Sequence, residues 1–206
     1  MPKKEPREKK SRSAGVNLFL KGERSFSQKS VSVRRPTPPG VHGKRRRLGT
    51  TEYGQQLLEK QRLKWSYGMR ENQFKRYFKE ASKISGATGA IMVQKLERRL
   101  DNVVFRLQFA ISRGIARQLV SHGHIMVNGK KTTIPSFQVR PGDVISIRPQ
   151  SNAGKQFAEL DERLKKTETA DWLQLDAAKR AGKVLKLPTD TDTGFQTELV
   201  VDFYSR

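Results

Sequence analysis

Residues 112–147 read SRGIARQLVSHGHIMVNGKKTTIPSFQVRPGDVISI, and the placing of cap, stop and turn residues among them permits few folds. Ser112 can open a helix by offering its hydroxyl to backbone N–H groups left unpaired in the first turn. Ile115, Ala116, Leu119 and Val120 then share one helical face, while Arg113 and Arg117, four apart, share another. Gly123 tolerates the left-handed conformation that closes a helix. Residues 124–127 and 130–134 can pair through Asn128-Gly129, because both positions of such a two-residue turn need positive φ. Pro141-Gly142 makes a second turn, and Val144, Ile145 and Ile147 predict a further strand. The segment reads as a short helix followed by a small antiparallel sheet.

Charge decides what such a unit is for. The 206 residues include 42 Lys and Arg against 20 Asp and Glu, a net +22. Residues 1–49 carry +12, residues 50–110 carry +6, residues 111–150 carry +5 and the last 56 carry −1. A solvated surface of mixed charge would not leave so lopsided a balance, whereas a polyanion relieves it by exchanging its counterions for protein cations. A folded unit with a row of cations and no catalytic constellation predicts a nucleic-acid clamp. Leu, Ile, Val and Phe number nine in residues 1–49 and 40 in the other 157. The first block is too poor in them to fold alone, so a basic arm that orders mainly against its partner should precede a self-folding body. No apolar run approaches the roughly 18 residues of a membrane span, and residues 1–5 lack the apolar stretch of a signal peptide, so cytoplasmic residence is expected. Without Cys there are no disulfides and no thiolate metal sites.

The 112–147 segment resembles the RNA-binding module of the small-subunit ribosomal protein four family. The likeness continues through residues 96–107 (LERRLDNVVFRL) and outward to residues 18–24 (LFLKGER), Arg34-Arg35-Pro36, Pro39-Gly40-Val41-His42-Gly43, Tyr53-Gly54 and Phe203-Tyr204-Ser205-Arg206. It spans nearly the whole chain, whereas pseudouridine synthases and some tRNA synthetases are similar in the module alone. The chain thus looks like the bacterial form of the family. The resemblance implies an α+β fold with a basic extended arm over residues 1–49. A helical domain over 50–97, completed by the tail 167–206, and an RNA-binding module over 98–166 should follow. In the module two helices pack on a short twisted antiparallel sheet.

The same resemblance implies no enzymatic activity and no cofactor. It implies direct binding of small-subunit ribosomal RNA at a multi-helix junction, which starts assembly of the subunit body. It further implies a contact with neighbouring small-subunit protein five that influences decoding accuracy, a place on the mRNA entry path and, in some members, binding to their own messenger. Many bacterial relatives hold the arm with a four-cysteine zinc knot. The corresponding positions here are Glu8, Ser11, Ser25 and Ser30, a poor ligand set that implies the zinc-free form. The arm would then be held by short local contacts and by RNA, with a small apolar anchor at most from Leu18, Phe19, Leu20 and Phe26.

Between arm and module, Thr50 or Thr51 can cap a helix that carries Leu57, Leu58 and Trp65 inward, Lys60 and Lys64 on a wetter face, and Gly68 at its stop. Phe74, Tyr77, Phe78 and Ala81 recur among Lys75, Arg76 and Lys79; their period of 3.6 favours a core stripe over a base-stacking platform. Leu96, Leu100, Val103, Val104 and Leu107 predict a helix over 91–107 whose exposed side carries Arg98, Arg99 and Arg106. Asp101 reads as a helix-surface ion-pairing residue. In the tail, Phe157, Leu160 and Leu164 face inward from a helix over 156–166, and strands are predicted over 184–187 and 198–204. This near-neutral block suits core closure, a protein contact, or both.

The candidate RNA contacts in the arm are Lys21, Arg24, Arg34, Arg35 and the tetrad Lys44, Arg45, Arg46 and Arg47. In the helical segment they are Lys60, Lys64 and Arg70, and in the module Arg98, Arg99, Arg113, Arg117, Lys130, Lys131 and Arg140. His42 either bonds RNA or merely sits in its turn. Gln118, Ser121, His122, His124 and Asn128 can make more selective hydrogen bonds or be plain surface. A short helix with Gly114 in its first turn is a poor probe for a major groove and better suits folded RNA. Catalysis finds little support. His122-Gly123-His124 has Ser121 where the synthetase H-x-G-H signature needs a His, and a metal pair would need a third ligand. Gly86-Ala87-Thr88-Gly89 lacks the Gly-Lys-Ser/Thr ending of a phosphate loop. An RNA-modifying enzyme anchored by this module would require a catalytic domain that the length scarcely permits.

Overall fold

The computed structural model describes residues 6–43, 49–152, 154, 157–165, 169–189 and 194–206. In chain order the helices of the first half are α1 (Arg7–Ala14), α2 (Val31–Arg34), α3 (Glu52–Ser66), α4 (Glu71–Ala81) and α5 (Thr88–Glu97), with a 3-10 turn at Gly22–Ser25. There follow α6 (Leu100–Arg106), α7 (Arg113–Ser121), β1 (Ile125–Val127), β2 (Lys130–Lys131), β3 (Val144–Ile147), α8 (Leu160–Lys165), β4 (Leu173–Asp176), β5 (Ala181–Val184) and α9 (Thr197–Ser205). The fold is α+β and divides into two units, residues 1–92 with 192–206, and residues 93–191.

The first unit is helical. Thr51 caps α3, its hydroxyl accepting from the Gly54 amide at 3.2 Å, and Gly68 at φ +63° follows the helix end. The buried residues of α3 are Gln56, Glu59, Lys60, Leu63 and Ser66, whereas the predicted Leu57, Leu58 and Trp65 are half-buried. The difference arises because α3 packs against both α1 and α9, which buries a polar strip: Lys60 meets Glu71 and Glu59 meets Arg62, while Gln56 Oε1 and the second Glu59 oxygen are buried without a hydrogen-bond partner. On α4, Phe74, Tyr77, Phe78 and Ala81 are all buried, as their period requires. The tail segment 198–204 is not a strand but lies within α9. Its β-branched Val200 and Val201 suggest extended chain, but a strand would send adjacent Phe203 and Tyr204 to opposite faces, whereas the helix turns both toward Lys60, with Tyr204 stacked on Phe78 at 4.9 Å. Propensity is weak against such packing. Two short helices structure the arm, and Arg62 ties α1 to α3 by donating from Nε and one terminal nitrogen to the Ala14 carbonyl at 2.9 and 2.8 Å.

The second unit is built on an antiparallel sheet of order β2-β1-β3-β5-β4. Ser112 caps α7 through the Ile115 amide, Gly123 closes it at φ +75°, and Asn128 and Gly129 turn the hairpin at φ +50° and +76°. Ile125 pairs with Ile147 and Val127 with Ile145 in register. These side chains join Leu100, Val103, Val104, Leu107, Ala116, Leu119 and Val120 from α6 and α7 in one core. Phe157, Leu160 and Leu164 belong to it as predicted, although the helix is the shorter α8. Leu107 lies so close to Gly182 that any Cβ there would strike it.

Four readings of this unit need correction. The helix over 91–107 is broken into α5 and α6, because Arg99 is extended at ψ 135° and the chain pairs sideways: the Leu100 amide donates to Phe137 at 2.9 Å and the Val139 amide to Arg98 at 3.0 Å. The strand over 184–187 lies earlier, as β5, and the strand over 130–134 contracts to β2. Through β4 and β5, residues 173–184 extend the sheet, so of the tail 167–206 only residues 192–206 group with the helices. No helix among the described residues is long and apolar enough to cross a membrane.

Candidate nucleic-acid interface

On the module, α7 holds Ala116, Leu119 and Val120 inward, and its period therefore turns Arg117, Gln118, Ser121 and His122 to solvent. The hairpin adds Lys130 and Lys131, both exposed on an edge strand. These two groups meet, since the Lys131 stem packs over Gly123 at the end of α7, where a Cβ would collide with it. Arg140 is exposed beyond the hairpin. Half-buried Arg98 donates from Nε to the Val139 carbonyl at 3.0 Å; burial first, then the like charge of Arg140, weakens its hold on its proton, with Asp143 opposing. Two adjoining guanidiniums of this kind are stabilised by an anion placed between them.

Other predicted contacts face the protein itself. Arg99 is 1% exposed and forms a bidentate pair with Asp101, at 3.0 Å from Nε and 2.7 Å from a terminal nitrogen. Neither residue is on the surface where the sequence put it, because the break before α6 folds the chain back on residues 135–139. Arg113 donates to Asn102 Oδ1 at 2.8 Å and lies over the Phe105 ring at 4.7 Å. Asn102 in turn donates to buried Glu97, which also receives Arg106 at 2.9 and 3.0 Å, so Arg106 is tied as well. Asn128 is exposed, but its amide closes the hairpin onto β3, donating to Asp143 at 2.8 Å and accepting from the Val144 amide at 2.9 Å. His124 Nδ1 lies 3.0 Å from the Ser151 hydroxyl and its ring meets Phe157 edge-on. Arg113, Asn128 and His124 therefore position the module.

In the helical unit, Lys60 is 5% exposed and reaches Glu71 at 2.9 Å, and Lys64 reaches the other oxygen at 2.6 Å. The Tyr204 hydroxyl donates to Glu71 at 2.7 Å, and Lys60 also lies 4.3 Å from the Phe203 ring centre. Burial would raise the Glu71 carboxyl, but the three donors outweigh it and hold its pKa at about 2. Burial, then the bond to Glu71, pushes the Tyr204 hydroxyl up. Lys60 and Lys64 thus serve a clasp between α3, α4 and α9, and the wetter face predicted for them is not where they lie. Arg70, ahead of α4, is exposed.

In the arm, Arg34, Arg35 and His42 are exposed. Arg34 and Arg35 line an open cleft with Pro36, Pro38 and Gly40, and Arg12, also in its lining, donates to the Thr37 and Pro38 carbonyls at 2.9 and 3.2 Å. Gly43 packs so tightly on the Pro38 carbonyl that no side chain fits there. The tetrad Lys44, Arg45, Arg46 and Arg47 lies outside the described residues. Arg24 is exposed and Lys21 half-buried; both face Glu8, at 3.5 and 3.0 Å. Of the expected apolar anchor only Leu18 is fully buried, while Phe19 and Phe26 stack on each other in solvent.

The four positions of the zinc knot do converge: Glu8, Ser11, Ser25 and Ser30 line one small cavity. The donors do not fit the metal. Glu8 is neutralised by Lys21 and Arg24, the Ser11 hydroxyl accepts from the Leu18 amide at 3.4 Å, and the Ser25 hydroxyl accepts from the Lys21 amide at 3.2 Å. Ion pairs and hydroxyl bonds occupy the place of a tetrahedral site.

A family profile for the ribosomal protein S4/S9 N-terminal domain matches residues 2–97, and one for the S4 domain matches residues 98–145. Small ribosomal subunit protein uS4A of Symbiobacterium thermophilum is 50% identical over 197 residues, 95% of this chain and 94% of that one. The uS4 proteins of Caldicellulosiruptor bescii and Thermus thermophilus are 48% and 47% identical over the same length and the same shares of both chains. With two profiles in succession and a likeness that runs almost end to end, the chain belongs to the ribosomal protein S4 family.

Proposed function

We propose that the protein is a non-enzymatic constituent of the small ribosomal subunit in the cytoplasm, binding small-subunit ribosomal RNA directly. The observation that carries this is the division of labour in the module. Arg99 and Arg113 are engaged by its own core, while Arg117, Lys130, Lys131 and Arg140 stand on its outside. Such cations displace phosphate counterions, and Gln118, Ser121 and His122 beside them supply more selective hydrogen bonds. Arg98 joins Arg140, and Lys21, Arg24, Arg34, Arg35, His42, Arg70 and the 44–47 tetrad extend the contact. A rigid surface that binds one RNA arrangement stabilises it by mass action, which is how assembly of the subunit body would start without chemistry. By the family reading the protein also adjoins small-subunit protein five, contributes to decoding accuracy, lines the mRNA entry path and is a candidate to bind its own messenger.

Binding of the protein to small-subunit ribosomal RNA and to an unrelated RNA of equal length, across salt concentrations, tests the reading. Preference for the former is expected, with log affinity falling linearly in log salt. Replacing Arg117, Lys130 and Lys131 together by Ala should flatten that slope by about 2 units, at roughly 0.7–0.9 per phosphate contact. Equal affinity for both RNAs, or an unchanged slope, would remove this face from the interface.

A further inference from the structure

We propose that the stacked pair Phe19 and Phe26 is a platform for an unstacked base of the RNA, an inference that rests on the RNA-binding reading and adds a contact cations cannot make. The ring centroids are 4.7 Å apart and the planes 23° from parallel. Phe19 is 45% and Phe26 76% exposed, while Leu18 beside them is buried at 3%. The arm therefore has an inside, and both aromatics are kept out of it. Apolar ring surface held in water is unfavourable until something covers it.

The backbone holds the rings in place. Phe19 sits at φ +50°, a region bulky side chains avoid. Asn17 over-determines that conformation, accepting the Phe19 amide at 3.0 Å and donating to the Ser25 carbonyl at 2.6 Å, so one side chain ties both ends of the loop that carries the rings. Strain maintained in this way points to use.

Electrostatics select the occupant. Arg24 lies in the 3-10 turn between the rings, Lys21 precedes it, Arg7 donates to the Leu20 carbonyl at 3.4 Å, and Lys29 is exposed just beyond Phe26. Residues 17–29, which carry both rings, hold Lys21, Arg24 and Lys29 against Glu23, a net +2 within an arm of net +12. Exposed aromatic faces on a cationic segment suit a nucleotide, whose base stacks while its phosphates meet the cations. A purely apolar protein surface would gain nothing from those cations.

The test uses the full-length protein and transcribed small-subunit ribosomal RNA. Phe26→Ala should weaken binding about 5- to 150-fold, the range for one stacked base, and leave the salt slope unchanged because no phosphate contact is lost. Phe26→Trp should bind as the unsubstituted protein does, with fluorescence of the introduced indole quenched on adding RNA. Thermal stability of Phe26→Ala should stay at the parent value, given the exposure of that ring. Parental affinity in Phe26→Ala, a fall in its melting temperature that accounts for the loss, or an indole that RNA leaves unquenched would each overturn the platform. So would parental RNA affinity combined with lost binding to another small-subunit protein, which would assign the pair to a protein contact. If the unsubstituted protein fails to prefer this RNA, the functional reading itself falls, a distinguishable result.

Discussion

Arg99 and Arg117 have the same side chain and opposite assignments, and burial separates them. Arg99 is desolvated and survives only because Asp101 meets it with two hydrogen bonds; deleting one partner of such a buried pair typically costs about 3–5 kcal/mol. Arg117 is exposed, on the side of the module where the proposed RNA contact lies. Nothing in the run Glu97-Arg98-Arg99 announces which arginine turns inward, because that depends on the Leu100–Phe137 bond from a segment 37 positions away. Glu71 makes the same point with a consequence for pH. Its pKa is depressed from the ordinary 4.5 to about 2, so its stabilisation is complete above about pH 4.5 and is lost as pH falls toward 2. Glu71→Gln should therefore destabilise the protein at neutral pH, with the gap closing between pH 4.5 and 2 in a series of thermal melts. The carboxylate is 41% exposed, so screening limits the effect to roughly 1 kcal/mol.

At the scale of elements, local chemistry was legible wherever a residue closes its own structure. The caps Thr51 and Ser112, the stop Gly123 and the turn Asn128-Gly129 all lie where their backbone preferences place them. Gly123 also joins two elements, because the Lys131 stem lies against it. Gly123→Ala should cost about 1 kcal/mol through its φ of +75° and should also displace Lys131, lowering RNA affinity together with stability. Denaturant titration and RNA binding of the same variant check this; a loss of stability alone would separate Lys131 from the interface. Element identity was less legible where apolar runs are short. Residues 198–204 read as a strand yet lie in α9, since a few β-branched residues carry too little preference to resist a helical packing site.

For the whole molecule, division into two compact units predicts separable stabilities. Removing residues 197–206 takes Val200 and Tyr204 from the helical unit, uncovering Phe78 and leaving Glu71 without one donor. Amides of α3 and α4 should then lose hydrogen-exchange protection by at least about 2–5 kcal/mol, the cost of deleting large core side chains, while those of β1 and β3 keep theirs. Equal loss in both units would show them to be one cooperative body. The helix-hairpin-strand order of the module and its cationic bias were determined by the sequence alone, because they follow from periodicity, turn chemistry and charge within a few residues. Tertiary structure alone decided which cations remain outside, where the tail divides between sheet and helices, and that Phe19 and Phe26 face water. Those outcomes depend on partners distant in the chain, and desolvation acts on a side chain only once its neighbours have assembled around it.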